Sequence, residues 1–230
     1  MKASTPSLIL FFVASVLAII FRAMDYFSLM LYTKSIIIPS LFIYYFVLNN
    51  YRITLTKALI FLLCFMRDVF VLLNIKESAI GSFLCILFVY LLLLKFSLKD
   101  FRYLKFNYRD SASIIILVLL IVTICYSVLN LKLEKLNFSF SLYVVFGIVL
   151  SLLSVISITN YIKIGSYAFF NLMLMCVCFI ITDVFFVIYN FYMNLYVFTL
   201  ISIITQVLSY FFMVNYFIEK EKIQQSQIIS

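Results

Sequence analysis

The chain has 230 residues, of which 67% are hydrophobic and 11% charged, with a formal net charge of +8. A soluble domain averages roughly 45–50% apolar and 25% charged residues, so the composition excludes a water-soluble fold and implies an integral membrane protein. With no histidine and only Gly81, Gly147 and Gly165 as glycines, His-based triads, His proton relays, His-ligated zinc and a glycine-rich phosphate loop are excluded as well.

A membrane helix needs about 20 apolar residues, and eight candidates follow one another: 7–21, 36–49, 56–74, 78–95, 113–130, 139–158, 166–190 and 195–217. The predicted fold is all-α, a polytopic membrane helix bundle with eight transmembrane helices. Residues 1–218 make its single domain, and the polar tail 219–230 is expected to fray. The first span is apolar from Leu8 to Phe21. No small-residue cleavage site follows it, so it reads as a retained span. The second is short, with Pro39 near its start, where proline is best tolerated, and Lys34 opens it from the outer side. Arg67 and Asp68 lie inside the third. Between the fourth and fifth, Ser97–Asp110 reads SLKDFRYLKFNYRD, where Leu98, Phe101 and Leu104 alternate with Lys99, Arg102 and Lys105. This segment is either an ordinary basic loop or a short interfacial helix on anionic lipid. The seventh span contains Asp183, and Asn190 returns to the same helix face seven residues later. Gln206 lies near the middle of the eighth, with Thr199 and Ser202 above it. Cys64, Cys85, Cys125, Cys176 and Cys178 all fall in spans and read as small apolar filler. Cys176 and Cys178, two apart on a helix, make a poor metal pair.

Eight spans put both termini on one side. Lys2, Arg52, Lys57, Lys95, Lys99, Arg102, Lys105, Arg109, Lys163, Lys220 and Lys222 fall on that side. Arg22, Lys34, Lys76, Lys132 and Lys135 fall on the other, eleven against five. The positive-inside rule then makes both termini cytoplasmic, and topology rather than nucleic acid explains the basic charge.

Charge inside a span is costly and usually faces a cavity, a partner or a reaction. Of nine acidic residues, Asp68 and Asp183 lie within spans; the others fall in loops, at span ends or in the tail. Counting inward from Asn74 and Asn190 at 1.5 Å per residue puts both carboxylates about 10 Å beneath the outer boundary. With Lys34, Gln206 and Asn190 they suggest a polar pocket opening toward the outer leaflet, walled by Phe and Tyr. Each residue also has a plainer role. Arg67 can neutralise either aspartate, Lys34 can snorkel at a span end, and Gln206 can bond between helices.

At these positions the chain resembles the YhhN family, the lysoplasmalogenase-like membrane proteins. Thr33-Lys34-Ser35-Ile36-Ile37-Ile38-Pro39 looks like the family's TKPLLMP segment, with Ser35 for its first proline. Arg67-Asp68-Val69-Phe70-Val71-Leu72-Leu73 is similar to the Gly-Asp segment of the third span. Thr182-Asp183 resembles the Ser-Asp pair of the seventh, and Gln206 matches a glutamine in the eighth. Two departures stand out: Arg67 occupies the usual glycine position, and the histidine often found in the fourth span is missing.

The resemblance implies a hydrolase that cleaves the vinyl ether bond of lysoplasmalogens, or of a related lyso or ether lipid, to a fatty aldehyde and a glycerophospho-alcohol. Protonation of the alkene carbon starts that reaction. One carboxylic acid must therefore hold its proton near neutral pH, and a second carboxylate orients water or stabilises the cation. Asp68 and Asp183 would share these catalytic roles, in an order the sequence leaves open. Lys34, Gln206, Arg67 and Asn190 would bind substrate, with Lys34 on the lipid phosphate. No metal and no cofactor are expected. The partners are the bilayer and a membrane lipid, not nucleic acid, and the location is a cell membrane of the bacterial inner-membrane kind. The alternatives are a non-catalytic relative and a small-solute or lipid transporter using an intramembrane carboxylate. The chain shows no two-fold repeat and few Gly or Pro breaks of the kind that transporter helices use.

Overall fold

In hydrocarbon every backbone N–H and C=O must be bonded within its own segment, which makes long apolar runs helical. The computed structural model describes residues 4–73, 76–102, 104, 108–129, 140–193 and 195–229. Among these residues there are eight α-helices and no strand. They are α1 (Thr5–Ala23), α2 (Phe27–Leu48), α3 (Leu55–Leu73), α4 (Lys76–Phe101), α5 (Tyr108–Leu129), α6 (Phe140–Ile164), α7 (Tyr167–Val187) and α8 (Tyr196–Ile229). A π-helical turn, Ile188–Tyr192, follows α7.

Six helices, α1, α2, α4, α6, α7 and α8, are long and apolar enough to cross a membrane. Lys57, Arg67 and Asp68 lower the hydropathy of α3, and α5 contributes a shorter apolar run, Ile114–Ser127. Helix faces divide as a bilayer requires. On α1, Phe11, Ala14, Ser15 and Ala18 are buried at i, i+3, i+4 and i+7, while Ile9, Phe12, Val13 and Val16 are exposed. That is one inward stripe and an apolar outer surface.

The helices run alternately up and down. Sequence neighbours pack together from α1 to α4 and from α5 to α8, while α4 passes over α5 to pack on α6. Contacts of α8 with α1 and α2 close a ring. Helix α5 packs on α6 alone among the larger contacts, and its Ile115, Ile116 and Leu119 are exposed. Tyr45, Tyr90, Tyr210 and Tyr216 are fully buried inside the ring.

Several boundaries differ from the sequence reading. Helix α2 starts at Phe27, nine residues before the predicted 36. Asp25, at φ 60°, reverses the chain directly after α1, which leaves no room for a long outer loop. Pro39 therefore lies inside α2, and Lys34 lies two turns below the start of the helix rather than at its mouth. Of the basic segment after the fourth span, Ser97–Phe101 form the last turn of α4 and Tyr108–Asp110 the first turn of α5; Tyr103 and residues 105–107 lie outside the described residues, as do Asn74, Lys132 and Lys135. Between α6 and α7 a residue in the left-handed conformation is required, and Gly165 supplies it with φ +64° and its N–H on the Tyr161 carbonyl at 2.8 Å.

The tail is helical through Ile229, with residues 219–229 continuing α8. The Tyr45 hydroxyl donates to Glu221 at 2.5 Å, Lys57 pairs with the same carboxylate, and Lys220 pairs with Asp100 at 2.6 Å. Unlike a solvated tail, these turns find partners on α2, α3 and α4.

Candidate functional site

Consecutive residues on a helix point about 100° apart, so Asp68 and Arg67 look toward different neighbours. Asp68 faces α2 and α8. Its Oδ1 lies 3.3 Å from Lys34 Nζ and accepts a hydrogen bond from Gln206 Nε2 at 2.9 Å. All three are buried, at 2%, 7% and 5% exposure for Asp68, Lys34 and Gln206. Arg67 turns toward α8 and α7. Its Nη1 donates to the Tyr210 hydroxyl at 3.3 Å, and Gln206 Nε2 donates to the same oxygen at 2.8 Å. Tyr210 thus joins the two halves of the cluster.

Asp183 projects from α7 toward α4, where the Tyr90 hydroxyl donates to its Oδ2 at 2.7 Å. The Arg67 guanidinium is in electrostatic reach of Asp183, Tyr90 and Asp68. Both carboxylates are thus within electrostatic reach of one cation; among the described residues no hydrogen bond joins them to each other. Helices α7 and α8 are stitched alongside: Thr182 Oγ1 and Thr205 Oγ1 are 2.8 Å apart, and Ser202 donates to the Thr182 carbonyl at 3.2 Å.

The sequence-predicted residues divide clearly. Lys34, Arg67, Asp68, Gln206 and Asp183 converge from α2, α3, α7 and α8 in the half of the bundle away from the termini. Lys34 does not sit free at the boundary for a lipid phosphate; its ammonium is committed to Asp68. The backbone of Asn190 lies in the π-helical turn, through which the helical register of Asp183 does not carry, and its side chain is outside the described residues. Within the cluster most polar groups pair with one another, and Asp68 Oδ2 is left without a partner among the described residues. A cavity of about 410 Å³ lies at the terminal end, lined in part by Thr5, Tyr44, Asn49, Asn215 and Glu219.

Sequence reasoning missed Tyr90 and Tyr210. A signal existed for Tyr210, which follows Gln206 by four residues and shares its face. None existed for Tyr90, one tyrosine among 17, on a helix with no charge near it. Among the described residues no three His, Cys, Asp or Glu side chains converge as metal ligands. Chemically the cluster can hold and move protons and charge: two carboxylates, two cations, two phenols and one amide, screened from water by apolar helix faces. Compared with family models, curated proteins and solved structures, the chain matches none.

Proposed function

We propose that this membrane protein is a hydrolase of the lysoplasmalogenase type. It would cleave the vinyl ether bond of a lysoplasmalogen, or of a related lyso or ether lipid, to a fatty aldehyde and a glycerophospho-alcohol. The supporting observation is the cluster itself: side chains from five helices bring two carboxylates within electrostatic reach of the Arg67 guanidinium in an otherwise apolar bundle. Polar groups at that depth are costly, which favours a reaction over packing as their purpose.

The two aspartates take different roles in this reading. Asp68 is bound in an ion pair with Lys34. It serves as a fixed negative charge. Asp183 is held by a neutral phenol and acts as general acid. Its proton goes to the alkene carbon remote from the ether oxygen, where the π electrons form the new C–H bond and leave an oxocarbenium ion. Water adds to the oxocarbenium carbon, the one bonded to the ether oxygen, and returns a proton to Asp183. The hemiacetal then collapses to aldehyde and alcohol. One positioned acid accounts for about 10²–10⁴ in rate. Both termini face the cytoplasm, by the excess of Lys and Arg at that end, and the membrane is a cell membrane of the bacterial inner-membrane kind.

The test is aldehyde release from an alkenyl-lysophospholipid by the purified protein in detergent. Wild type should release aldehyde, and Asp183→Asn should release none above background. No release by folded wild type refutes the reading. The closure of the Lys34–Asp68 pair favours a second reading, a non-catalytic relative, which gains if Arg67→Gly also fails to release aldehyde.

A further inference from the structure

Among the described residues, five buried side-chain atoms have no hydrogen-bond partner: Arg22 Nε, Thr199 Oγ1, Asp68 Oδ2, Asn160 Oδ1 and Ser166 Oγ. The last two lie at the terminal end. The first three lie at the other end and connect along α8. Arg22 closes α1, and its guanidinium carbon stands 5.7 Å from the ring centroid of Tyr196, the first residue of α8. Thr199 is three residues further along. It shares a face with Gln206 and Tyr210, seven and eleven residues on, and Gln206 holds Asp68. One column thus runs from a cation at the mouth, past a free hydroxyl, to a carboxylate oxygen inside.

The charges in this column do not balance. Arg22 and Arg67 both act electrostatically on the Lys34 ammonium, which gives three cations. The carboxylates among them are Asp68 and Asp183. Asp25, three residues from Arg22, is exposed and makes no ion pair with it among the described residues. Excess positive charge beside unpaired buried donors calls for an anion, and a guanidinium fork fits a phosphate. Asp68 Oδ2 asks the reverse, a donor. From Thr199 to Gln206 the helix rises about 10 Å. A glycerophosphate spans about that distance from its phosphate to its secondary hydroxyl once a hydrogen bond is added at each end.

We infer that this column binds the glycerophosphate part of a lyso-lipid. The phosphate sits on Arg22 and Thr199, and the free glycerol hydroxyl donates to Asp68 Oδ2. The lipid class rests on the proposed function, but binding does not require cleavage. An arginine that only complemented the carbonyl end of α1 would have no use for Thr199.

The experiment titrates the full-length protein, in a phosphate-free maltoside detergent, with a 1-acyl lysophospholipid. That ester has no vinyl ether, so binding is read without turnover. Parallel titrations use inorganic phosphate, monoacylglycerol and a deoxy lysophospholipid lacking the secondary hydroxyl. The lysophospholipid should bind saturably and raise the melting temperature. Arg22→Gln should weaken it by about ten- to hundredfold, as for the loss of a charged hydrogen bond. Thr199→Val and the deoxy lipid should each weaken it several-fold. Thr199→Val leaves every charge in place and keeps the test valid if Arg22→Gln does not fold. The inference is overturned if monoacylglycerol or inorganic phosphate binds as tightly as the lysophospholipid, or if wild type binds none. It is also overturned if Thr199→Val and the deoxy lipid both match the wild-type titration. Lysophospholipid binding without aldehyde release from the alkenyl lipid removes the hydrolase and leaves this site standing.

Discussion

Removing Lys34 and removing Asp68 break the same ion pair but strand different charges, so their effects should be unequal. Breaking a buried pair from one side costs about 3–5 kcal/mol. After Lys34→Met, Asp68 keeps the Gln206 hydrogen bond and the nearby Arg67 guanidinium, which puts the cost near the lower limit, about 3 kcal/mol. After Asp68→Asn, the Lys34 ammonium faces Arg22 and Arg67 with no carboxylate beside it, which puts the cost near the upper limit, about 5 kcal/mol. The double variant Lys34→Met/Asp68→Asn strands neither charge. Its loss should be smaller than that of Asp68→Asn alone, a non-additivity that only coupled residues show. At about 2–4 °C per kcal/mol for a chain of this size, the single variants should melt about 6–12 and 10–20 °C below wild type. The chain has no tryptophan and five free cysteines, with Cys64, Cys85, Cys176 and Cys178 buried. A thiol-reactive fluorogenic dye therefore reports unfolding directly. Equal melting temperatures for the two single variants, or a double variant that melts below both, would refute the argument.

Three further outcomes follow from other parts of the bundle. Tyr90→Phe removes the hydrogen bond to Asp183; aldehyde release should fall about tenfold or more while the melting temperature drops by only a few degrees, and unchanged turnover would remove Tyr90 from the positioning of Asp183. Glu221→Gln weakens the contact that Lys57 and Tyr45 make with the last turns of α8; amide exchange over 219–229 should accelerate, with aldehyde release unaffected, and unchanged exchange would show that these turns are held some other way. A methyl group added at Gly81 would lie 3.0 Å from the Phe70 ring, whereas at Gly147 the nearest atom is Cys125 Sγ at 3.8 Å. Gly81→Leu should therefore cost about 1–3 kcal/mol by overpacking, and Gly147→Ala should gain up to about 1 kcal/mol from helix propensity; the reverse order in melting temperature would contradict the packing of α3 on α4.

The helices were legible because the bilayer imposes a simple code. An apolar run of sufficient length must be a helix, and the eight predicted spans correspond in order to α1 through α8. Boundaries failed where a tight turn replaced a loop, as at Asp25, or where charged residues found partners inside the protein, as Glu221 and Lys220 do. Composition marks a polar tail as solvated unless something pairs with it, and pairing is a tertiary fact. The candidate site was legible to the same extent. Asp68, Asp183, Arg67, Lys34 and Gln206 stood out as costly residues in apolar runs, and cost alone singles out a residue. It does not say which partner offsets that cost. Lys34 looked available for a ligand until α2 began nine residues early and carried it down to Asp68. Arg22 looked like an ordinary boundary cation until α8 placed Tyr196 beside it, with the unpartnered Thr199 hydroxyl three residues further along that helix. Ligand-binding capacity in a membrane interior belongs to whatever charge is left after the protein's own ions have paired. That remainder is set by helix register, which is why the phosphate site moves from Lys34 to Arg22.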